Sequence, residues 1–117
     1  MDTVTKTSDT TFDLLDKFIE EINSRPQNVE PFATRTFEID GGRKYIRVMM
    51  RYHREDGRRG GGSVHMFVGN AEGIYGDIYK PASIKAPALN GARYNLFEDW
   101  DQILEAWDWA GGWLYKK

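Results

Sequence analysis

The 117-residue chain is long enough for one domain with a modest core, and with 40% hydrophobic and 29% charged residues it has the composition of an ordinary folded protein. Its lack of cysteine excludes disulfides and thiolate metal sites, and no segment approaches the roughly 18 apolar residues of a membrane span. The polar N-terminus has no signal-peptide core, so a cytoplasmic location is expected.

Charge is unevenly distributed along the chain. The net charge is −2, yet residues 35–97 carry 11 basic and 6 acidic side chains, a net charge of +5. Residues 1–34 and 98–117 are both acidic. A basic middle segment between acidic ends favours an anionic partner such as nucleic acid.

Two amphipathic helices are predicted, one near each end of the chain. The first begins near Thr10, where Thr10 and Asp13 resemble a capping arrangement, and ends before Pro26. The second has Asn95 as its N-cap and ends at Gly111. The apolar stripes comprise Phe12, Leu15, Ile19 and Ile22 in the first helix and Trp100, Ile103, Leu104 and Trp107 in the second.

Between the helices, alternating apolar and polar residues predict four antiparallel strands in two hairpins. A two-residue turn at Gly41-Gly42 would join the first two strands and pair Phe37 with Ile46. The third strand is SVHMFVG, residues 63–69, and the fourth is IYGDIYK, residues 74–80.

Two stretches are predicted to be loops. The segment EDGRRGGGS is rich in glycine, and the segment from Pro81 to Asn95 contains too many prolines and glycines for a regular element. The chain is therefore predicted to have a flexible N-terminus (residues 1–9) and a single α+β domain (residues 10–117). In this domain the helices cover one face of a four-stranded antiparallel sheet.

The second strand concentrates positive charge on one face of the sheet. Residues 43–54, RKYIRVMMRYHR, contain five arginines and lysines. Side chains alternate between faces along a strand, so the even positions are apolar and face the helices, and the odd positions are cationic and aromatic. The same alternation in the neighbouring strands predicts an outer face of Arg43, Tyr45, Arg47, Met49, Arg51, His53, His65, Phe67, Tyr75 and Tyr79.

An open sheet face with aromatic rings among arginines is suited to single-stranded nucleic acid. Bases stack on the rings at roughly 1–3 kcal/mol each, and the cations contact phosphates without regard to sequence. Five further cations could extend this surface, and they are Arg58, Arg59, Lys80, Lys85 and Arg93.

Other interpretations of the same residues remain open. Glu38 and Asp40 lie on the same outer face and could pair with the arginines, or another layer could cover the face. His53 and His65 are possible cross-strand neighbours, but two histidines without a third ligand make a poor metal site. No catalytic spacing stands out, so neither an enzyme nor a cofactor is predicted.

The C-terminal residues have a structural interpretation. The tryptophan stripe is expected in the core, and the acidic residues of the same helix are expected to be solvated. The final residues, WLYKK, are apolar enough to pack on the core or across an interface between subunits.

Residues 66–97 resemble a segment found in many small bacteriophage-encoded proteins, of the form GDVYKAASWKAPA followed by RGN and a phenylalanine. The chain has Pro81 where that segment has alanine, Ile84 in place of tryptophan and Tyr94 in place of glycine. The matching residues are Gly76, Asp77, Tyr79, Lys80, Ala82, Ser83, Lys85, Ala86, Pro87, Ala88, Arg93, Asn95 and Phe97. This resemblance implies a phage origin and location in the host-cell cytoplasm.

The order of four antiparallel strands and an amphipathic helix resembles the single-stranded-DNA-binding folds of the transcriptional coactivator and Whirly type. This resemblance implies that the sheet binds DNA and that the helix forms dimers or tetramers. In some podoviruses such proteins bring a phage RNA polymerase to opened DNA, which would add a protein partner.

The sequence therefore favours a non-enzymatic, homo-oligomeric phage protein that binds single-stranded DNA and supports transcription or replication. One alternative is an inhibitor that binds a host or defence protein through the acidic helix or the aromatic tail. Another is a small nucleotide-binding protein with Lys80, Lys85 and Arg93 around a phosphate.

Overall fold

The computed structural model describes residues 5–25, 33–54 and 59–115, and in it two helices pack against an antiparallel sheet. The strands follow one another across the sheet in the order β1-β2-β3-β4-β5. The predicted α+β class is confirmed, with five strands rather than four. The elements are α1 (Ser8–Ser24), β1 (Ala33–Ile39), β2 (Tyr45–Arg54), β3 (Arg59–Gly69), β4 (Asp77–Tyr79), β5 (Tyr94–Asn95), α2 (Trp100–Ala106) and a 3-10 turn at Gly112–Leu114.

Helix α1 begins two residues earlier than predicted because its cap lies at Thr7. The Thr7 hydroxyl accepts a hydrogen bond from the Thr10 N–H at 3.1 Å, and the Thr10 hydroxyl accepts one from the Thr7 N–H at 2.9 Å. This reciprocal pair fixes Ser8 as the first helical residue. The helix ends at Ser24, as the proline that follows predicts. Of the N-terminus predicted to be flexible, residues 1–4 lie outside the described residues.

The register between β1 and β2 differs from the predicted one by four residues. Phe37 pairs with Met50 rather than with Ile46. Gly41 and Gly42 both adopt positive φ, of 78° and 115°, within a loop longer than the predicted two-residue turn. Because four is an even number, this shift alone does not move the β1 side chains to the other face of the sheet.

A β-bulge in β3 changes the faces of two side chains from those predicted. Val48 pairs with Met66, but the next residue, Met49, pairs with Val64. His65 is the extra residue, and both His65 and Met66 are buried. A bulge puts two consecutive side chains on one side of a strand, so His65 joins Met66 in the core. The predictions that His65 lies on the outer face and that Val64 shares the face of Met66 are therefore wrong.

The bounds of three other elements differ from those predicted. Strand β3 already begins at Arg59, within the glycine-rich segment predicted to be a loop. Strand β4 contains only Asp77–Tyr79, because Gly76 with φ of 81° belongs to the turn that precedes it. The N-cap of α2 is Asp99 rather than Asn95, and α2 ends at Ala106, before Gly111.

The core lies between one sheet face and the helices, as predicted. Trp113 and Leu114 are fully buried in it, so the C-terminal segment packs on the core of its own chain. The partly buried Trp100, Leu104 and Trp107 pack against the same core, which confirms the structural interpretation of the tryptophan stripe. The fully buried core side chains include Leu15, Phe18, Ile22, Ile46, Val48, Met66, Val68, Ile78, Leu96 and Ile103.

Candidate nucleic-acid interface

The outer sheet face contains a row of predicted site residues that crosses three strands. Arg47 on β2 pairs with Phe67 on β3, and Phe67 pairs with Tyr79 on β4. The ring of Tyr45 meets that of Tyr79 edge-on, with 5.6 Å between their centroids. The structure therefore brings these four side chains together, as the alternation of residues predicts.

Two of these rings are not available to a ligand. Phe67 is 2% and Tyr79 is 6% exposed. The loop after β4 crosses this face, because the Ile84 carbonyl accepts a hydrogen bond from Arg47 Nη1 at 2.9 Å, two strands away. Burial, and secondarily the Asp77 carboxylate, raise the pKa of Tyr79. The prediction that Phe67 and Tyr79 lie on an open surface is therefore wrong.

Two predicted phosphate-binding arginines already have carboxylate partners. Arg51 donates to Glu38 Oε1 at 2.7 Å and to Asp40 Oδ2 at 2.8 Å. Arg47 lies 3.3 Å from the same Asp40 oxygen. This confirms, for Arg47 and Arg51, the alternative that Glu38 and Asp40 pair with the arginines of the outer face. A phosphate would therefore have to compete with these carboxylates for Arg47 and Arg51.

Exposed cations remain at the start of β2 and on the loop after β4. Arg43, Lys44 and Lys85 are exposed, and among the described residues none of them forms an ion pair. Lys44 Nζ lies 5.6 Å from the centroid of the half-buried Tyr45 ring. We call Arg43, Lys44, Tyr45 and Lys85 the cationic edge.

Three other predicted cationic residues lie apart from the cationic edge or are engaged. His53 is exposed, and its Nε2 lies 2.7 Å from the Thr36 hydroxyl. Lys80 Nζ lies 4.9 Å from the centroid of the Tyr115 ring. Arg93 is half-buried, and its backbone N–H donates to the Ile78 carbonyl at 2.7 Å.

The remaining predicted site residues are Tyr75, Arg58 and Arg59. Tyr75 is half-buried and lines a polar cavity of about 530 Å³ with Lys6 and Glu98. Arg58 lies outside the described residues. Arg59 begins β3, and its side chain is also outside the described part of the chain.

His65, buried by the bulge, forms a polar centre within the core. Its Nε2 accepts hydrogen bonds from the indole N–H groups of Trp107, at 3.0 Å, and Trp113, at 3.3 Å. Burial lowers the pKa of His65 from 6.5 to about 4, against the opposing effect of the Asp108 carboxylate. The prediction that His65 neighbours His53 is wrong, because His53 pairs with Arg59 at the far end of β3. Alternation alone could not reveal this centre, since the bulge breaks it.

Arg35 is a second buried polar residue that the sequence analysis did not single out. It is 5% exposed, and its guanidinium lies 3.3 Å from the centroid of Trp109 and 5.5 Å from that of Tyr52. Its Nε has no hydrogen-bond partner in the described part of the chain. Arg35 shares its strand face with Phe37, so the alternation rule would have placed it toward the core.

Asn95 links the end of the sheet to the start of α2. Its Nδ2 donates to the Tyr75 carbonyl at 3.0 Å and to Asp77 Oδ1 at 2.9 Å. Its Oδ1 accepts from the N–H groups of Phe97, at 2.8 Å, and Glu98, at 3.2 Å. Asp77, Asn95 and Phe97 all belong to the segment that resembles phage proteins, so these three residues of the segment have a structural role.

Neither a metal centre nor a membrane span is found in the described ranges. No three His, Asp or Glu side chains there are placed to hold a metal ion. No helix there has both the length and the apolar character needed to cross a bilayer.

Comparison with known proteins identifies one family. A family model described as "Family of unknown function (DUF7717)" matches residues 1–116. No curated protein and no solved structure matches the chain.

Proposed function

Since the chain belongs to the DUF7717 family of unknown function, we propose its function from the chemistry of its surface, namely the binding of single-stranded DNA by the cationic edge. The observation that carries this proposal is the exposed Lys44, whose Nζ lies 5.6 Å from the centroid of the half-buried Tyr45 ring. Arg43 is exposed next to it in sequence, and Lys85 is exposed on the loop that bonds to Arg47. Free cations next to an aromatic ring can contact phosphates and stack on a base.

The structure narrows the form that such binding would take. Phe67 and Tyr79 are covered, and Arg47 and Arg51 are ion-paired. Of the three rings of Tyr45, Phe67 and Tyr79, that of Tyr45 is the one that stays partly exposed. Phosphate contacts would then provide most of the affinity. Binding dominated by phosphates does not depend on base sequence and weakens steeply with salt.

Charge reversal at the cationic edge tests the proposal. We expect Lys44→Glu to weaken binding of a labelled single-stranded oligonucleotide about tenfold at low salt and to reduce the dependence of affinity on salt, because one phosphate contact is replaced by repulsion. Fluorescence anisotropy at several salt concentrations, with duplex DNA for comparison, measures both effects.

The matched control is Lys17→Glu, which makes the same charge change at an exposed position of α1. It should leave affinity nearly unchanged. Equal losses in the two variants would mean that only net charge matters, and no binding by the unaltered protein would reject the function.

The biological setting is proposed from the two resemblances, to small phage-encoded proteins and to Whirly-type folds. We propose a phage protein of the host-cell cytoplasm with a Whirly-like sheet, acting as a dimer or tetramer and bringing a phage RNA polymerase to opened DNA. Light scattering of the purified protein gives the subunit number. A monomer would remove the support that this resemblance gives.

A protein partner is the second candidate, because the loop after β4 presents apolar side chains. Ile84 is 52% and Leu89 is 68% exposed on this loop. The aromatic C-terminal tail, which the sequence also suggested as a partner-binding surface, has its Trp113 and Leu114 side chains buried. An inhibitor of a host protein would form a stable complex that a double change of Ile84 and Leu89 to serine disrupts.

A further inference from the structure

A small cavity lies between β3 and the C-terminal segment. Its volume is about 240 Å³, and its lining includes Met50, His65, Pro81, Trp109, Gly111 and Tyr115. Pockets for drug-sized ligands have roughly 300–1,000 Å³, so this cavity has room for about one ring system.

The floor of the cavity offers one buried hydrogen-bond donor. His65 is 5% exposed, and its Nε2 accepts from two indole N–H groups, so the neutral ring carries its proton on Nδ1. Gly111, which also lines the cavity, lies beside this atom, since a Cβ on Gly111 would be 3.9 Å from His65 Nδ1. In the described part of the chain, the hydrogen bonds of His65 are made by Nε2 alone.

The walls of the cavity are aromatic and are supported by cations. Trp109 is 46% and Tyr115 is 60% exposed. The Arg35 guanidinium covers one face of Trp109 at 3.3 Å, and Lys80 Nζ lies 4.9 Å from the Tyr115 centroid. These cations would also attract an anion attached to a bound ring.

We propose that this cavity is a nucleobase pocket. A base would stack on Tyr115 and accept a hydrogen bond from His65 Nδ1–H through a carbonyl oxygen or a ring nitrogen. Lys80 would lie near its phosphate. The base has two possible sources, a free nucleotide or one nucleotide of a bound strand, and only the second rests on the function proposed above.

The test uses adenosine, guanosine, cytidine and uridine 5′-monophosphates as probes, with ribose 5-phosphate for comparison. Titration calorimetry gives affinity, and the ring nitrogen signals of His65 in NMR spectra report contact with Nδ1. We expect at least one monophosphate to bind and to shift these signals, and ribose 5-phosphate to do neither.

Tyr115→Ala removes one wall of the cavity at an exposed position. It should lower the affinity for the monophosphate about tenfold, which is the contribution of one stacking contact. Leu89→Ala is the matched control, because Leu89 is exposed and apolar but does not line the cavity. It should have no effect.

Competition identifies the source of the base. Displacement of the monophosphate by an unlabelled oligonucleotide would indicate a base of the strand, and its absence would indicate a free nucleotide. The proposal is overturned if no monophosphate shifts the His65 signals, if ribose 5-phosphate binds equally well, or if Tyr115→Ala changes nothing. Lys44→Glu tests the cationic edge separately, so the two proposals can fail independently.

Discussion

Lowering the pH from about 7 to about 5 is expected to reduce the free energy of unfolding by about 2 kcal/mol through His65 alone. Burial lowers the pKa of His65 in the folded chain to about 4, from 6.5. The unfolded chain therefore binds more protons than the folded chain between these values. The stabilisation is complete above about pH 6.5, decreases as the pH falls, and decreases no further below about pH 4.

Urea unfolding followed by tryptophan fluorescence measures this effect. His65→Gln keeps a carbonyl oxygen for the two indole donors but does not titrate, so it should lose most of the pH dependence between about pH 5 and pH 7. His53→Gln is the matched control at an exposed position and should keep it. An equal pH dependence in the unaltered protein and His65→Gln would contradict the assignment to His65.

Asn95→Ala is expected to have the largest effect on stability, a loss of about 3–5 kcal/mol. The side chain is 7% exposed and makes four hydrogen bonds, so its removal leaves two N–H donors and two acceptors without that partner. A typical domain has only about 5–15 kcal/mol in total, and the variant would be close to unfolding. The same urea titration gives the difference.

Two variants check the reason for this loss. Asn90→Ala changes an exposed loop residue of the same type and should cost almost nothing. Asn95→Asp keeps the acceptor for Phe97 and Glu98 but places a carboxylate against Asp77, so it should be destabilised near neutral pH and partly recover as carboxylates are protonated. A small loss in Asn95→Ala would show that water replaces its contacts.

Alternation predicted which side chains face the core for most of the sheet, because burial of one face requires a period of two. It failed at His65, where one extra residue reverses the alternation and no sequence pattern marks the bulge. It also could not show that Ile84 would lie over the outer face, since this depends on the path of an irregular loop.

The sequence therefore predicted which face of the sheet carries the candidate site better than it predicted which of its side chains are exposed. The sequence identified Glu38 and Asp40 as possible partners of the arginines, but which charges pair depends on the strand register. The limits of α2 were missed because Asn95 caps the turn before the helix through its side chain while its backbone belongs to β5.

The ion pairs of Arg51 depend on how β1 and β2 are aligned. Sliding β1 along β2 by two or four residues would leave the same apolar side chains facing the core, so burial alone distinguishes such slipped hairpins poorly. In the observed register Glu38 pairs with Met49, which brings its carboxylate within 2.7 Å of Arg51. In the predicted register, with Phe37 opposite Ile46, Glu38 would lie opposite Tyr45, six residues from Arg51 along β2, so Arg51 would lose this partner.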